Sequence, residues 1–287
     1  MNRGELRRVA AQTIAVVEAG QYVSQESGRT FAIGQAVAQS IRSTTVFSTE
    51  EIKAVENDVR RDTVYTVKAL STLDGAAWLR RQTGRVPTIL NFASARRPGG
   101  GFENGAMAQE EDIAYRSSLY ASLRSRSEYY RESLDDLREG LYFDKAVFTP
   151  GMVVIRDADY RLVDPWDCHC VSAPAPNRGA ALRNGTSEAT VRAAMLRRIQ
   201  LVLAVMAQTG ASDIVLGAYG CGVFKNDPNC VAEQFHAVLV GQCQGIRFQH
   251  VLFAVPNQCS PNHQAFAQRF ARQGTSTELS PASCRVV

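Results

Sequence analysis

The sequence lacks most of the features that mark an easily classified chain. It has no run of about 18 apolar residues, the length a membrane-spanning helix needs. No CxxC pair occurs among its 7 cysteines, so neither a thioredoxin-type motif nor a paired zinc ribbon is encoded. Charge of one sign is not in excess: 32 Lys and Arg face 28 Asp and Glu, a formal net charge of +4. That balance admits a polyanionic ligand without requiring one. With 21 Gly and 10 Pro in 287 residues, collagen-like and Pro-rich chains are excluded. There is no internal repeat and no low-complexity segment. Hydrophobic residues at 45% and charged residues at 21% exclude a disordered chain and allow a sizeable buried core. The segment MNRGELRRVAAQTIAVVEAG is basic and amphipathic, but Gln12, Thr13 and Glu18 break its apolar run, which excludes a signal-peptide core. A reducing, cytosolic setting is the expectation.

What is present is an alternation of periodicities. Residues 3–19 have helical spacing and stop at Gly20. A short strand is expected near Thr30–Ile33, and helices over 34–41 and 49–61, the latter opened by a capping box at Ser48 or Thr49. The first 60 or so residues thus read as mainly helical. Strands follow at 63–69, 88–91, 147–155 (split by Pro150–Gly151), 169–173, 213–216 and 249–255. Helices are expected at 72–82, 109–124, 129–139, 187–208, 230–240 and 262–272. Strands alternating with helices argue for an α/β sandwich with a mixed, largely parallel sheet. The expected organisation is a helical N-terminal extension (1–62), an α/β core (63–273) and a loose polar tail (274–287).

The stretch richest in chemistry is TILNFASARRPGGGFENGAMAQEEDIAYRSSLY, residues 88–120. It places Asn91 at the end of a buried strand, then a glycine triplet, Gly99–Gly101, then Gln109–Glu110–Glu111 at the start of a helix. In open α/β sheets ligands bind beyond the carboxyl ends of the strands. Glycines let backbone N–H groups approach a ligand, and a helix N-terminus favours anions. Adjacent glutamates lie about 100° apart on a helix, so one would serve as acid or base and the other would hold a hydroxyl. Taken separately, an acidic pair in a first turn merely complements the helix dipole, and a glycine triplet is a flexible loop.

Together, Gly99–Gly101, seven residues and Gln109–Glu111 resemble the signature of poly(ADP-ribose) glycohydrolases. NFASARRPGGGF and AYRSSLY are similar to the microbial-type branch. The resemblance continues through APAPN (173–177), GAYGCGVFKNDP (217–228) and FAV (253–255), and covers roughly residues 5–272. It implies a macrodomain-like three-layer α/β/α sandwich with a mixed sheet and a helical N-terminal extension. The implied activity is hydrolysis of the ribose–ribose O-glycosidic bonds of poly(ADP-ribose), releasing ADP-ribose without metal or cofactor. Glu111 would be the catalytic acid/base and Glu110 its partner on the ribose hydroxyls. Asn91 would hold the terminal ribose, with Gln109 and Gly99, Gly100 and Gly101 also on the substrate side. Gly220, Cys221, Gly222 and Val223 would form the diphosphate loop, and Phe224 would pack near the terminal ribose. Residues 257–266 would lie near the adenosine end. Poly-ADP-ribosylated proteins are the implied partners, in reversal of ADP-ribosylation and the DNA damage response, with no membrane and no direct nucleic-acid contact. Ser94 stands where many macrodomain readers carry a second Asn. The alternative is a reader that binds ADP-ribose without cleaving it, or an eraser of single ADP-ribose units.

For Glu111 to act as an acid near neutral pH its carboxyl must hold a proton. A helix N-terminus opposes this, whereas a bound diphosphate, Glu110 and desolvation favour it. Backbone N–H groups of both glycine loops are expected to hold the diphosphate.

Other constellations carry less. GAYGCG has GxxGxG spacing late in the chain, whereas a dinucleotide fold wants GxGxxG after its first strand. In Asp167–Cys168–His169–Cys170 only the two cysteines share a strand face, short of the four ligands of a structural zinc. Cys221 has no His nearby in sequence to activate it. Arg96 and Arg97 either steer a polyanion or are solvated loop charges, and Arg197–Arg198 reads as a solvated helix face.

Overall fold

A computed structural model describes residues 1–52, 63–135, 140–242 and 248–270. In chain order its elements are α1 (Arg3–Ala19), β1 (Gln21–Val23), β2 (Thr30–Ala32), α2 (Gly34–Ser43), β3 (Thr45–Ser48), β4 (Val64–Lys68), α3 (Thr72–Thr83), β5 (Thr88–Phe92), α4 (Gln109–Arg116), α5 (Leu119–Arg124) and α6 (Ser127–Asp135). They continue with β6 (Lys145–Arg156), β7 (Leu162–Ala173), α7 (Arg178–Arg183), α8 (Glu188–Gln208), β8 (Asp213–Leu216), α9 (Pro228–His236), β9 (His250–Ala254) and α10 (Pro261–Phe270). Seven strands form one sheet in the order β3-β6-β7-β5-β8-β9-β4. From β7 across to β4 the neighbours are parallel, and β6 pairs antiparallel with both β7 and β3.

The central strands are apolar on both faces because both are covered. On one face Ile89, Val215 and Leu252 pack with Leu73 and Leu79 of α3, Ile113 of α4 and Leu119 and Leu123 of α5. On the other Leu90, Ile214, Leu216, Val251 and Phe253 pack with Ile199 and Val202 of α8, Phe235 of α9 and Phe266 of α10. The period of two thus sends successive residues of β5 into different layers, which gives the expected three-layer sandwich. Each such side chain contributes roughly 1.5–3 kcal/mol by burial.

Helix ends follow their caps. Ser71 accepts the Asp74 N–H at the start of α3, and Gly84, at φ 70°, ends it. Ser187 caps α8, and Asp227 caps α9 with Pro228 in its first turn.

The structure departs from the sequence-based expectation at several places. Thr45–Ser48, expected within a mainly helical extension, is β3, an edge strand of the main sheet paired with β6. Thr49–Glu51 is one 3-10 turn, closed by a Ser48–Glu51 capping box. Residues 53–62 lie outside the described set, as do 271–287, so the expected boundaries near 62 and 273 touch undescribed segments. Pro150–Gly151 does not split β6: the strand runs through with a register shift between Thr149 and Met152, and Gly151 takes φ 60° there. The helix expected over 109–124 breaks at Ser117–Ser118. Ser117 bridges to Val154 and the Ser118 N–H donates to Val153 O at 2.9 Å, pulling the backbone to the sheet.

Near the start of the chain, α1 braces the segment that carries the glycine triplet. Leu6, Val9 and Ala10 pack on Phe102, Ala114 and Tyr115. The Thr13 hydroxyl donates to Tyr115 O at 2.8 Å, and the Arg7 guanidinium donates to Asn104 O at 3.1 Å.

Candidate active site

The carboxyl ends of β5 and β8, neighbours in the sheet, each release a glycine-rich loop. The β5 loop runs through Gly99–Gly101 into α4. Two straps fix α4 against it. The Gln109 side chain accepts the Phe92 N–H at 2.8 Å and donates to Leu90 O at 2.8 Å and to the Thr72 hydroxyl at 3.0 Å. At the other end of α4, buried Arg116 donates to Asp74 at 2.6 Å and to Asp112 at 3.4 Å, tying α4 to α3. Tyr115 donates to Phe102 O and Ala106 O at 3.0 and 2.7 Å, closing the loop from behind.

These straps aim two buried carboxyl groups at one turn. Glu110 accepts the Ser94 N–H at 2.7 Å and the Asn91 amide at 3.4 Å. One oxygen of Glu111 accepts the Gly101 N–H at 2.7 Å. Gly100 lies against both. A Cβ built on it would stand 2.4 Å from Glu111 Oε1 and 3.1 Å from Glu110 Oε2, and its φ of 61° is itself unfavourable to any side chain. Adjacent glutamates on a helix therefore do converge on one residue, but each takes a separate donor, in keeping with different roles.

Burial pushes the Glu110 carboxyl up to about 8, helped by the charge of Glu111 and opposed by the Ser94 and Gly99 N–H groups and the Asn91 amide. Asn91 is fully buried, and its Nδ2 also donates to the Ser172 hydroxyl at 3.0 Å, while its Oδ1 is a buried acceptor without a partner. A buried acceptor left unpaired costs free energy. Protonated Glu110 can supply the missing donor if the Asn91 amide turns over, since the two amide orientations are nearly isosteric.

The β8 loop is built differently. Gly217 has room for no side chain, because its Cβ would meet Ala254 O at 2.7 Å. Asn226 holds the loop by donating to Pro176 O at 2.8 Å and Gly220 O at 2.9 Å. The Cys221 N–H donates to Ala218 O at 3.1 Å, and burial pushes the Cys221 thiol up to about 12. Beyond it, among the described residues, the N–H groups of Gly222, Val223 and Phe224 make no hydrogen bond. Gly222 faces open space and Val223 is 80% exposed. Phe224 is half-buried, 6.0 Å from the Tyr142 ring. Consecutive unpaired N–H groups on a fixed loop form an anion-binding concavity.

The two glycine loops thus use their N–H groups differently. In the first loop the N–H groups of Gly99 and Gly101 serve Glu110 and Glu111, and that of Gly100 donates to Arg97 O at 3.1 Å. Gln109 spends its amide inside the protein, as a strap on β5. The expectation for Arg198 is corrected. It is fully buried, pairs with Asp144 at 3.1 Å and donates to Pro174 O, so it supports the turn after β7. Cys168 and Cys170 are buried core residues on one face, and the His169 ring, on the other, accepts the Gly151 N–H at 3.0 Å. Among the described residues no three His, Cys, Asp or Glu side chains converge as metal ligands would. Residues 257–266 span the turn after β9 and the first part of α10, with Asn257 at φ 64°.

Sequence reasoning missed Ser94, Gln109 and Arg116 as positioning groups. The capping-like spacing of Ser94 before Arg96 and Arg97 was a usable signal, since its hydroxyl accepts both their N–H groups at 3.1 and 3.2 Å. A cavity of about 400 Å³ between α1, α2 and α5 lies behind Phe102 and Tyr120 and is lined by none of the predicted site residues.

Residues 10–157 match the family described as microbial-type PARG, catalytic domain. No curated protein matches the chain. Among solved structures, poly(ADP-ribose) glycohydrolase from Thermomonospora curvata bound to the inhibitor ADP-HPD is similar, with 39% identity over 93% of this chain and 100% of that one and a TM-score of 0.85. A second structure of the Thermomonospora curvata enzyme gives 38% identity, the same coverage and a TM-score of 0.88. Poly(ADP-ribose) glycohydrolase from Deinococcus radiodurans in complex with ADP-ribose gives 34% identity over 81% and 96% of the two chains and a TM-score of 0.73. The protein whose site has just been described is thus a member of the microbial-type poly(ADP-ribose) glycohydrolase family.

Proposed function

We propose that the protein hydrolyses the ribose–ribose O-glycosidic bonds of poly(ADP-ribose), and that its macromolecular substrates are poly-ADP-ribosylated proteins. Glu111 gives a proton to the departing 2′ oxygen as the bond from that oxygen to the anomeric carbon breaks. Water then adds hydroxide to the anomeric carbon and returns its proton to Glu111. Such a reaction passes through an oxocarbenium-like state and needs a carboxyl acid within reach of the leaving oxygen. The observation that carries the reading is the Glu111 carboxyl, with one oxygen fixed by the Gly101 N–H at 2.7 Å and the other unpartnered among the described residues.

In this reading Glu110 and Asn91 hold the hydroxyls of the terminal ribose, and the unpaired N–H groups at Gly222–Phe224 hold its diphosphate. Phe224 packs beside the ribose. A pure ADP-ribose reader needs the second loop but has no use for an acid aimed at the anomeric bond, which favours hydrolysis over reading. Glu111→Gln keeps the shape and hydrogen-bond acceptor but cannot transfer a proton. Release of ADP-ribose from automodified polymer should fall on the order of 10³-fold, while calorimetry still detects ADP-ribose binding. Ordinary turnover by this variant would refute the assignment.

A further inference from the structure

Arg85, Arg116, Arg178, Arg197 and Arg198 all hold carboxylates. Arg96 and Arg97 do not. Both are exposed, and among the described residues neither guanidinium makes an ion pair or hydrogen bond. Their backbone is nevertheless fixed. Ser94 Oγ accepts both N–H groups, and Arg97 O accepts the Gly100 N–H at 3.1 Å. Gly100 in turn abuts the Glu111 carboxyl. Two unneutralised cations are therefore carried on a rigid turn one residue-contact away from the acid.

Phosphate groups of the substrate are the obvious counter-charge, but the terminal unit's diphosphate already has the unpaired N–H groups of the other loop. The unit on the leaving side of the bond has no protein partner so far. Its ribose receives the proton from Glu111, and its own diphosphate is attached at the 5′ carbon of that same ribose, a few bonds from the leaving oxygen. Guanidinium groups bind phosphate oxygens through paired N–H donors and gain most where no other counter-ion competes.

We propose that Arg96 and Arg97 form a subsite for the diphosphate of the leaving ADP-ribose unit, so that the enzyme prefers a polymer to a single ADP-ribose on an uncharged leaving group. This rests on the hydrolase reading above. The test compares wild type, R96Q/R97Q and R96K/R97K on two substrates: poly(ADP-ribose), and ADP-ribose carrying a neutral aryl leaving group at the anomeric carbon. The ratio of kcat/KM for polymer to that for the aryl glycoside should fall about tenfold in R96Q/R97Q, chiefly through KM. The dependence of polymer cleavage on salt should flatten, since fewer cations are released. R96K/R97K, which keeps charge but loses the planar fork, should recover the salt dependence and part of the ratio. If the ratio is unchanged in R96Q/R97Q, whether both substrates suffer equally or neither does, the subsite is overturned. If wild type cleaves neither substrate, the hydrolase reading itself fails and the inference falls with it.

Discussion

The two glycine-rich loops leave neighbouring parallel strands, yet their backbones are used in opposite ways. In the β5 loop the N–H groups of Gly99 and Gly101 are directed at Glu110 and Glu111, and the missing Cβ of Gly100 makes room for the carboxyl groups themselves. In the β8 loop the missing side chain of Gly222 opens onto space, and successive N–H groups stay unpaired. One loop orients the protein's own acids; the other leaves its N–H groups unpaired. Glycine content alone does not separate the two, because what matters is where each N–H points.

This contrast is sharpened most by Gly100→Ala. Its Cβ would overlap Glu111 Oε1, so the acid must shift by something like an ångström. Misplacement on that scale costs about 10²-fold in turnover; kcat should fall while the Kd for ADP-ribose changes far less. Gly222→Leu should behave inversely. Nothing lies within 4 Å of its Cβ, so Tm should hold, while ADP-ribose binding weakens about tenfold through obstruction of the anion loop. If both variants damage kcat and Kd alike, the division of labour is wrong.

Glu110 offers a third effect, on stability. Its folded value of about 8 lies above the ordinary 4.5, so folding takes up a proton across that interval. The stability it contributes is fully present below pH 4.5 and is lost as the pH rises through about 8. Glu110→Gln removes the titration. Its stability relative to wild type should improve steadily between pH 5 and pH 8, by on the order of 4 kcal/mol. Denaturant unfolding at several pH values measures this, and a flat difference would contradict a proton held at that site.

The smallest effect concerns Cys221. A thiol raised to about 12 carries almost no thiolate at neutral pH. Iodoacetamide at pH 7.5 should label exposed Cys259 well ahead of Cys221, read by peptide mass spectrometry. Equal labelling would mean that the loop opens far enough to solvate the thiol.

Much of the fold was legible because apolar periodicity reports burial directly. The strands at 88–92, 213–216 and 250–254 and the helix α8 follow their patterns to within a residue or two. Thr45–Ser48 was not legible: four residues carry too little periodicity, and their partner β6 lies about a hundred residues away. Arg198 misled for a related reason. Its charge suggests solvent, but Asp144 and the Pro174 carbonyl, distant in sequence, compensate its burial. At the site, Glu110, Glu111, Asn91 and the glycines could be picked out from residue type and spacing. Gln109 could also be picked out, but its use as a strap could not, since its partners Phe92, Leu90 and Thr72 come from other elements.

By itself the amino-acid order determined which segments become strands and helices, and which short stretch holds an acid pair beside glycines, because these depend on neighbours a few positions apart. Only the tertiary structure decided which amides remain free, which carboxyl is stripped of water and which arginines find a partner. Those outcomes depend on groups from separate strands meeting at one end of a sheet, where a hydrogen bond made to one partner is denied to another.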